Sequence, residues 1–352
     1  MSTTTAHPSA ADAAPQSVAA PSAAERPLPV LAVDLVTEPA LLGGLAELAR
    51  DLEQAGVGAL TLSDGGLHPI HVAAHLAPLT SSIGLLPRTD AVYVEPFHLA
   101  TQLMSLDHLS HGRAGWLLRA ETDPEVAATV GRTVLDLAAT AREAADVLET
   151  ARLLWDSWAP DAVVRDVASG TYVDAARLQY VDVEAETFSV RGPAITPRSP
   201  QGLLPVLLAD TDRAAAGERT AERADGRVLD LDLSSGLTIA QAAVRIREAL
   251  AAVPAPGSSA EGGAVLEDPA DSGAAPDAAA VRLVRLVGLD LEADPLGTVA
   301  GLTADLRSEG LIAPAPTPGQ DLRTRLGLSP APFRLDPARR SDRARLSREE
   351  SA

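Results

Sequence analysis

The sequence predicts an α/β protein: a (β/α)8, TIM-barrel-like fold short of one βα unit, with an inserted antiparallel excursion. Three observations predict it. Short apolar runs alternate with helix-spaced amphipathic stretches from residue 30 to residue 308. Strand then helix, repeated, means parallel strands with right-handed crossovers. The strand runs are apolar throughout, as in a sheet covered on both faces. The first run is followed by Val36-Thr37-Glu38-Pro39 and not by G-x-G-x-x-G. That disfavours the doubly wound open sheet, which the same rhythm allows.

The elements follow in order. Val30–Leu35 is the first strand. Pro39–Gln54 carries apolar residues at helical spacing, and Gly56 supplies its stop. Val57–Leu62 is apolar again and is broken by Ser63-Asp-Gly-Gly66. Pro69–Leu79 reads as helix, Ile83–Leu86 as strand, Glu95–Leu109 as helix, Ala114–Leu118 as strand and Val134–Trp158 as a long helix. Residues 159–200 break the rhythm, with Thr171–Val173, Tyr180–Val183 and Phe188–Val190 as short antiparallel strands. The rhythm resumes with strand Pro205–Leu208, helix Ala214–Arg223, strand Arg227–Leu231 and helix Ala240–Val253. Strand Val281–Val287 and helix Thr298–Ser308 close it. Seven core strands result, one short of eight.

Three segments stand outside this pattern. Residues 1–28 are rich in Ala, Ser, Pro and Thr and read as a disordered tail, without the basic start and apolar run of a signal peptide. Residues 254–280 read as a low-complexity loop, and 331–352 as a flexible tail in which Arg alternates with Asp, Glu and Ser. One barrel domain, 29–330, remains.

Composition narrows the chemistry. The 352 residues carry 29 basic and 48 acidic side chains, a net charge of −19. There is no lysine, so every basic residue is arginine, and no asparagine. That acidity opposes a broad nucleic-acid surface. The absence of cysteine removes disulfides, thiolate catalysis and cysteine-ligated metals. Aromatic residues make up 3%, so the core is built from Ala, Val and Leu. No apolar run reaches the ~20 residues of a membrane span. A cytoplasmic protein without membrane contact is expected.

Two segments are more particular than a generic barrel. One is Glu95-Pro-Phe-His-Leu-Ala-Thr-Gln-Leu-Met-Ser-Leu-Asp-His-Leu-Ser-His-Gly-Arg-Ala-Gly-Trp116. The other begins Leu154-Trp155-Asp-Ser-Trp158 and runs through Gly170, Tyr172 and Phe188 to Val190-Arg-Gly-Pro193 and Pro197-Arg-Ser-Pro-Gln-Gly202. Together they resemble the bacterial luciferase-like, flavin-dependent monooxygenases, in particular the nitrilotriacetate and dibenzothiophene-sulfone monooxygenase branch. The resemblance covers about Val30 to Ala224 and returns at Asp321–Leu328. It implies a luciferase-like barrel with an insertion. It also implies reduced FMN supplied by a separate flavin reductase, O2 chemistry at the flavin, and oxygenation of a small organic substrate. A homodimer is compatible with it.

Barrel chemistry sits at the C-terminal ends of the strands. There this chain places Asp64, then Arg88 and Asp90, then Arg119 and Glu121, then Asp210 to Arg213, with Asp232 and Asp290 after later strands. Resemblance and barrel geometry together make Asp64, Arg88, Asp90, Arg119 and Arg213 the expected cofactor-binding set, with the phosphate near Arg213. The family's Gly- and Ser-containing phosphate loop is replaced here by Ala209-Asp-Thr-Asp-Arg213. Hydroxyls and glycine amides cradle a phosphate, whereas Asp210 and Asp212 repel it. The alternative is therefore a non-catalytic luciferase-like barrel that has lost flavin binding. A third reading is a metal-dependent hydrolase using His68, His71 and His75; helix-surface and packing roles are preferred for these three, and no metal ligand is assigned. No catalytic residue is assigned either. His108 alone is kept as a candidate, beside its reading as a buried structural histidine. Asp107 and Arg113 are expected to pair, and Trp155 and Trp158 to serve packing.

Overall fold

The computed structural model describes residues 26–253 and 278–333. Nearly all of the low-complexity stretch and of both expected tails lies outside these residues.

The strands are β1 (Val30–Thr37), β2 (Ala59–Asp64), β3 (Gly84–Asp90), β4 (Trp116–Arg119), β5 (Val163–Asp166), β6 (Thr171–Val173), β7 (Asp182–Glu184), β8 (Ser189–Arg191), β9 (Val206–Ala209), β10 (Gly226–Asp232) and β11 (Val281–Val287). The helices that matter here are α1 (Leu45–Gln54), α2 (Pro69–Leu76), α3 (Pro96–Leu109), α4 (Pro124–Thr129), α5 (Leu137–Trp155), α6 (Arg213–Arg223), α7 (Ile239–Ala251), α8 (Pro295–Ser308) and α9 (Leu322–Arg325).

Seven strands close a barrel in the order β1-β11-β10-β9-β4-β3-β2, every pairing parallel. The missing eighth unit leaves no gap, because β11 pairs directly with β1, Val30 meeting Leu283. The excursion at 159–200 lies outside the barrel as two antiparallel hairpins, β5-β6 and β7-β8.

Helix faces follow from the apolar spacing. In α1, Leu45, Ala49 and Leu52 are buried, one side of a 3.6-residue period. Gly56 ends that helix region with φ +82°, a conformation that disfavours any side chain. The first turn of α6 ends at Gly217, whose φ is +78°; a Cβ there would meet the Ala141 Cβ at 2.6 Å. Segment Arg213–Ala216 is thus a single turn set off from the rest of α6.

Strands two, three and four reach further than the apolar runs suggested. Polar residues were expected to end them, yet Ser63, Asp64, Arg88, Thr89, Asp90 and Arg119 all belong to strands. The reason is the barrel interior, which has two levels. Its lower level is apolar: Val30, Ala32, Ala59, Leu86, Leu117, Leu207, Val228 and Leu283 pack with Leu322 and Leu326 of the C-terminal segment. Two residues further along each of several strands, the upper level is ionic: Asp34 on β1, Arg88 on β3, Arg119 on β4, Asp230 on β10 and Arg285 on β11.

Candidate functional site

The upper level opens into a cavity of about 460 Å³ at the C-terminal ends of β2, β3 and β4, within the usual range for small-molecule pockets. Asp64, Arg88, Asp90 and Arg119 all line it. His68, Tyr93 and Glu95 line it too; none of these three is in the cofactor-binding set expected from the sequence. Arg213 is not among the lining residues. Its guanidinium reaches out to Glu218 at 2.5 Å, on a pair that is largely solvent-exposed.

The arginines around this mouth carry carboxylates. Arg88 grips Asp212, Nη2 donating to both carboxylate oxygens at 2.8 and 3.0 Å and Nε to one at 3.3 Å. Arg119 lies 3.5 Å from Asp90 and also contacts Glu121. Arg227 forms two bonds of 2.8 Å to Asp210. Arg285 is 5% exposed and forks onto Asp230 at 2.7 and 2.8 Å, with Asp34 at 3.6 Å. Asp34 in turn accepts from Thr61 Oγ1 and Ser63 Oγ. Burial pushes the Asp90 carboxyl above its ordinary range; Arg119 and Arg88 oppose that, while Asp212 and Asp64 reinforce it.

The wall formed by the β3–α3 loop is held from behind. Tyr93 sits at φ +58°, strained for a residue with a Cβ. Its backbone N–H donates to Glu143 Oε1 at 2.8 Å, its hydroxyl accepts from the Leu135 N–H, and Arg132 lies 5.0 Å above its ring. Arg132 also forks onto Glu143. Burial alone would raise the Glu143 carboxyl; the bonds from Arg132, Tyr93 and Thr187 outweigh it and hold the group low. Glu95 caps α3 by accepting from the Phe97 and His98 N–H groups.

Several expectations are corrected. His108 lies in the last turn of α3, at the end of the barrel remote from the cavity, with Nε2 3.0 Å from the Pro197 carbonyl. It is half-buried and not buried as that reading had it, is tied to the chain by this contact, and is out of reach of the mouth. Asp107 and Arg113 do not pair. Asp107 accepts from Gln201 N and Nε2, and burial raises its carboxyl against those bonds. Arg113 instead donates to the carbonyls of Ser110, Ile83, Ala77 and Thr80. The rings of His68 and His71 lie close together, their centroids 4.8 Å apart. Burial first, then His71, lowers the His68 pKa, while Asp64 opposes the shift. Among the described residues no group of three or more His, Asp or Glu side chains is arranged to hold a metal ion. Trp155 and Trp158 are buried, their indoles donating to the Ala100 and Ala194 carbonyls.

A phosphate dianion does not fit this mouth. It needs donors free to turn towards it. The loop that should cradle it presents Asp210 and Asp212, and the guanidinium groups beside it are bound to carboxylates. The ring end of a flavin meets no such obstacle, since the cavity offers Val92, Tyr93, Leu99 and Val126 beside its polar groups.

Comparison with known proteins agrees with the barrel. The family described as luciferase-like monooxygenase matches residues 28–266. The chain is 38% identical over 154 residues to dibenzothiophene-sulfone monooxygenase of Rhodococcus erythropolis, covering 44% of this chain and 34% of that protein. It is 32% identical over 243 residues to a subunit of the pristinamycin IIA synthase of Streptomyces pristinaespiralis, covering 67% of this chain and 78% of that one. The chain thus spans about a third of the sulfone monooxygenase's length, and 44% of another curated relative's. A crystal structure of a long-chain alkane monooxygenase superposes with a TM-score of 0.65 over 90% of this chain and 100% of that one. At 16% identity that likeness is one of fold.

Proposed function

We infer, from the premise that this chain belongs to the luciferase-like monooxygenase family, that it works as a flavin-dependent monooxygenase on a small organic substrate. The observation that carries the reading is the cavity at the C-terminal mouth, where family membership and barrel geometry both place chemistry. Asp64, Arg88, Asp90 and Arg119 line it and are the residues proposed to border flavin and substrate. His68 and Tyr93 join them. A bound reduced flavin supplies the reaction with O2; the protein supplies position and electrostatics. Reduced FMN delivered by a separate reductase is the source proposed for it, and a homodimer the proposed assembly. Among the described residues no helix is long and apolar enough to cross a membrane.

A second reading is favoured by one observation. The carboxylates paired with Arg88, Arg119 and Arg227 oppose an anionic cofactor, as they would in a barrel that kept the fold without the chemistry. Anaerobic titration of the purified chain with photoreduced FMN, followed by admission of O2, separates the two. A shifted flavin spectrum and a transient distinct from free flavin reoxidation are expected from the monooxygenase. Spectra identical to flavin alone, for both oxidised and reduced forms, leave the non-catalytic barrel.

A further inference from the structure

We propose that Asp212 is a built-in anion that takes the place of a ligand phosphate, so that the mouth of this barrel grips a flavin by its ring and not by its phosphate. The proposal rests on the flavin reading above and narrows it to a ligand class: flavins without regard to their phosphate.

The argument starts from the fork. A guanidinium presents its donors in a fixed plane, and one carboxylate satisfies the Nε and Nη2 edge. On Arg88 that edge is occupied by Asp212, whose side chain is 12% exposed. The carboxylate is supplied by the loop between β9 and α6, the loop after the fifth barrel strand, where the family resemblance implied a phosphate loop. Asp212 serves no competing local purpose, because its side chain does not cap α6. The turn it precedes is cut off by Gly217, so it offers no long helix to attract an anion. Around it, Asp210 holds Arg227, while Asp230 holds Arg285 and accepts from Thr211 Oγ1. An entering phosphate must displace Asp212 from Arg88 and then share the site with it. Arg213 offers no second grip while Glu218 holds it outside.

The test uses the full chain and two variants, Asp212→Asn, which keeps the shape, and Asp212→Ser, which empties it. Binding of oxidised FMN and riboflavin is followed by quenching of flavin fluorescence. The unmodified chain is expected to bind the two with Kd values within about threefold of each other, less than one hydrogen bond to a charged group contributes. Both variants are expected to tighten FMN about tenfold, the gain of one such bond, and to leave riboflavin unchanged. An unmodified chain that prefers FMN tenfold or more, or variants whose FMN-to-riboflavin ratio does not move, would overturn the proposal. If no chain binds either flavin, the monooxygenase reading fails, and inorganic phosphate then decides the role of Asp212. At matched ionic strength, phosphate should raise the thermal midpoint of Asp212→Asn and not of the unmodified chain. Equal shifts in both would sink it.

Discussion

The two ends of this barrel use arginine in opposite ways. At the N-terminal end, Arg113 and Arg325 donate to backbone carbonyls: Arg113 to those of Ala77, Thr80, Ile83 and Ser110, Arg325 to those of Gly58, Ser82 and Gln320. Burial lowers the pKa of both, that of Arg325 to about 10, yet both stay charged at neutral pH. At the C-terminal end Arg88, Arg119, Arg227 and Arg285 hold carboxylates. A carbonyl has no proton to gain, so these two arginines have no titrating partner among their hydrogen bonds; the carboxylates at the same end, Asp107 and Glu53, are held instead by Gln201 and by the Ser81, Ser82 and Ile83 N–H groups. The upper end is made of pairs in which one partner titrates. The lower end is built as a floor, the upper as an adjustable set of charges around a cavity.

That contrast can be broken at the floor first. Replacing Arg113 by Met strands buried carbonyls that no other group is placed to reach. We expect a loss of roughly 3–5 kcal/mol, read as a lower urea midpoint with unchanged m-value. A loss below about 1 kcal/mol would mean that water reaches those carbonyls and that the floor is not sealed.

At the upper end the largest effect should come from Glu143, whose side chain is 1% exposed behind Tyr93. Glu143→Gln should cost about 2 kcal/mol at pH 7, less than for a wholly buried pair because Arg132 keeps contact with solvent. The sign with pH follows from the lowered pKa in the folded protein. The stabilisation is fully present above the unfolded value of ~4.3 and is lost as pH falls through the folded value. Urea midpoints of the two chains should therefore converge below about pH 4; a gap that stays constant from pH 7 downward would remove the ionised carboxylate from the explanation.

The smallest effect is expected at Arg213. Its pair with Glu218 is surface-exposed, so Arg213→Ala should change stability by less than about 0.5 kcal/mol. It should also leave FMN and riboflavin affinities alike. A selective loss of FMN would put the phosphate back at the residue where the sequence alone places it.

How far the sequence could be read depends on which residues hold each feature. The barrel was legible because each of its seven strands carries an apolar run and several stops are Gly, Pro or Asp clusters, such as Ser63-Asp-Gly-Gly66 and Asp210-Thr-Asp212. Closure with seven strands was not, since nothing in Val30–Val33 announces Leu283–Leu286 as a neighbour. At the mouth, Asp64, Arg88, Asp90 and Arg119 could be located because each lies within a few residues of the end of its apolar run. Their partners could not: Asp212 lies 124 residues from Arg88, and Asp230 lies 55 from Arg285. The expectation for Arg213 rests on its charge and its place at the start of α6; that Glu218 holds it outside while Asp212 turns to Arg88 depends on side-chain direction, which the sequence does not carry. The pairing of Asp107 with Arg113 failed for a similar reason. Opposite charges near in sequence suggest a pair, but Gln201 and a row of carbonyls arrive from elsewhere in the fold.

The floor also sets an order of events. Leu322 donates its N–H to the Gly112 carbonyl, and Leu322 and Leu326 fill the space beneath Val30, Ala59 and Leu117. During synthesis β1 to β4 emerge long before these residues, and before β11, the strand that β1 needs on its open side. Until then the nascent sheet has two unpaired edges and an uncovered apolar face, the features that make a chain prone to pair with its neighbours. Closure must wait for contacts between distant parts of the chain, which slows folding. Any need for a chaperone is therefore a property of how late β11 and Leu322 lie along the chain; a floor supplied by the N-terminal segment would cover the apolar face early but leave both edges open until β11 arrives.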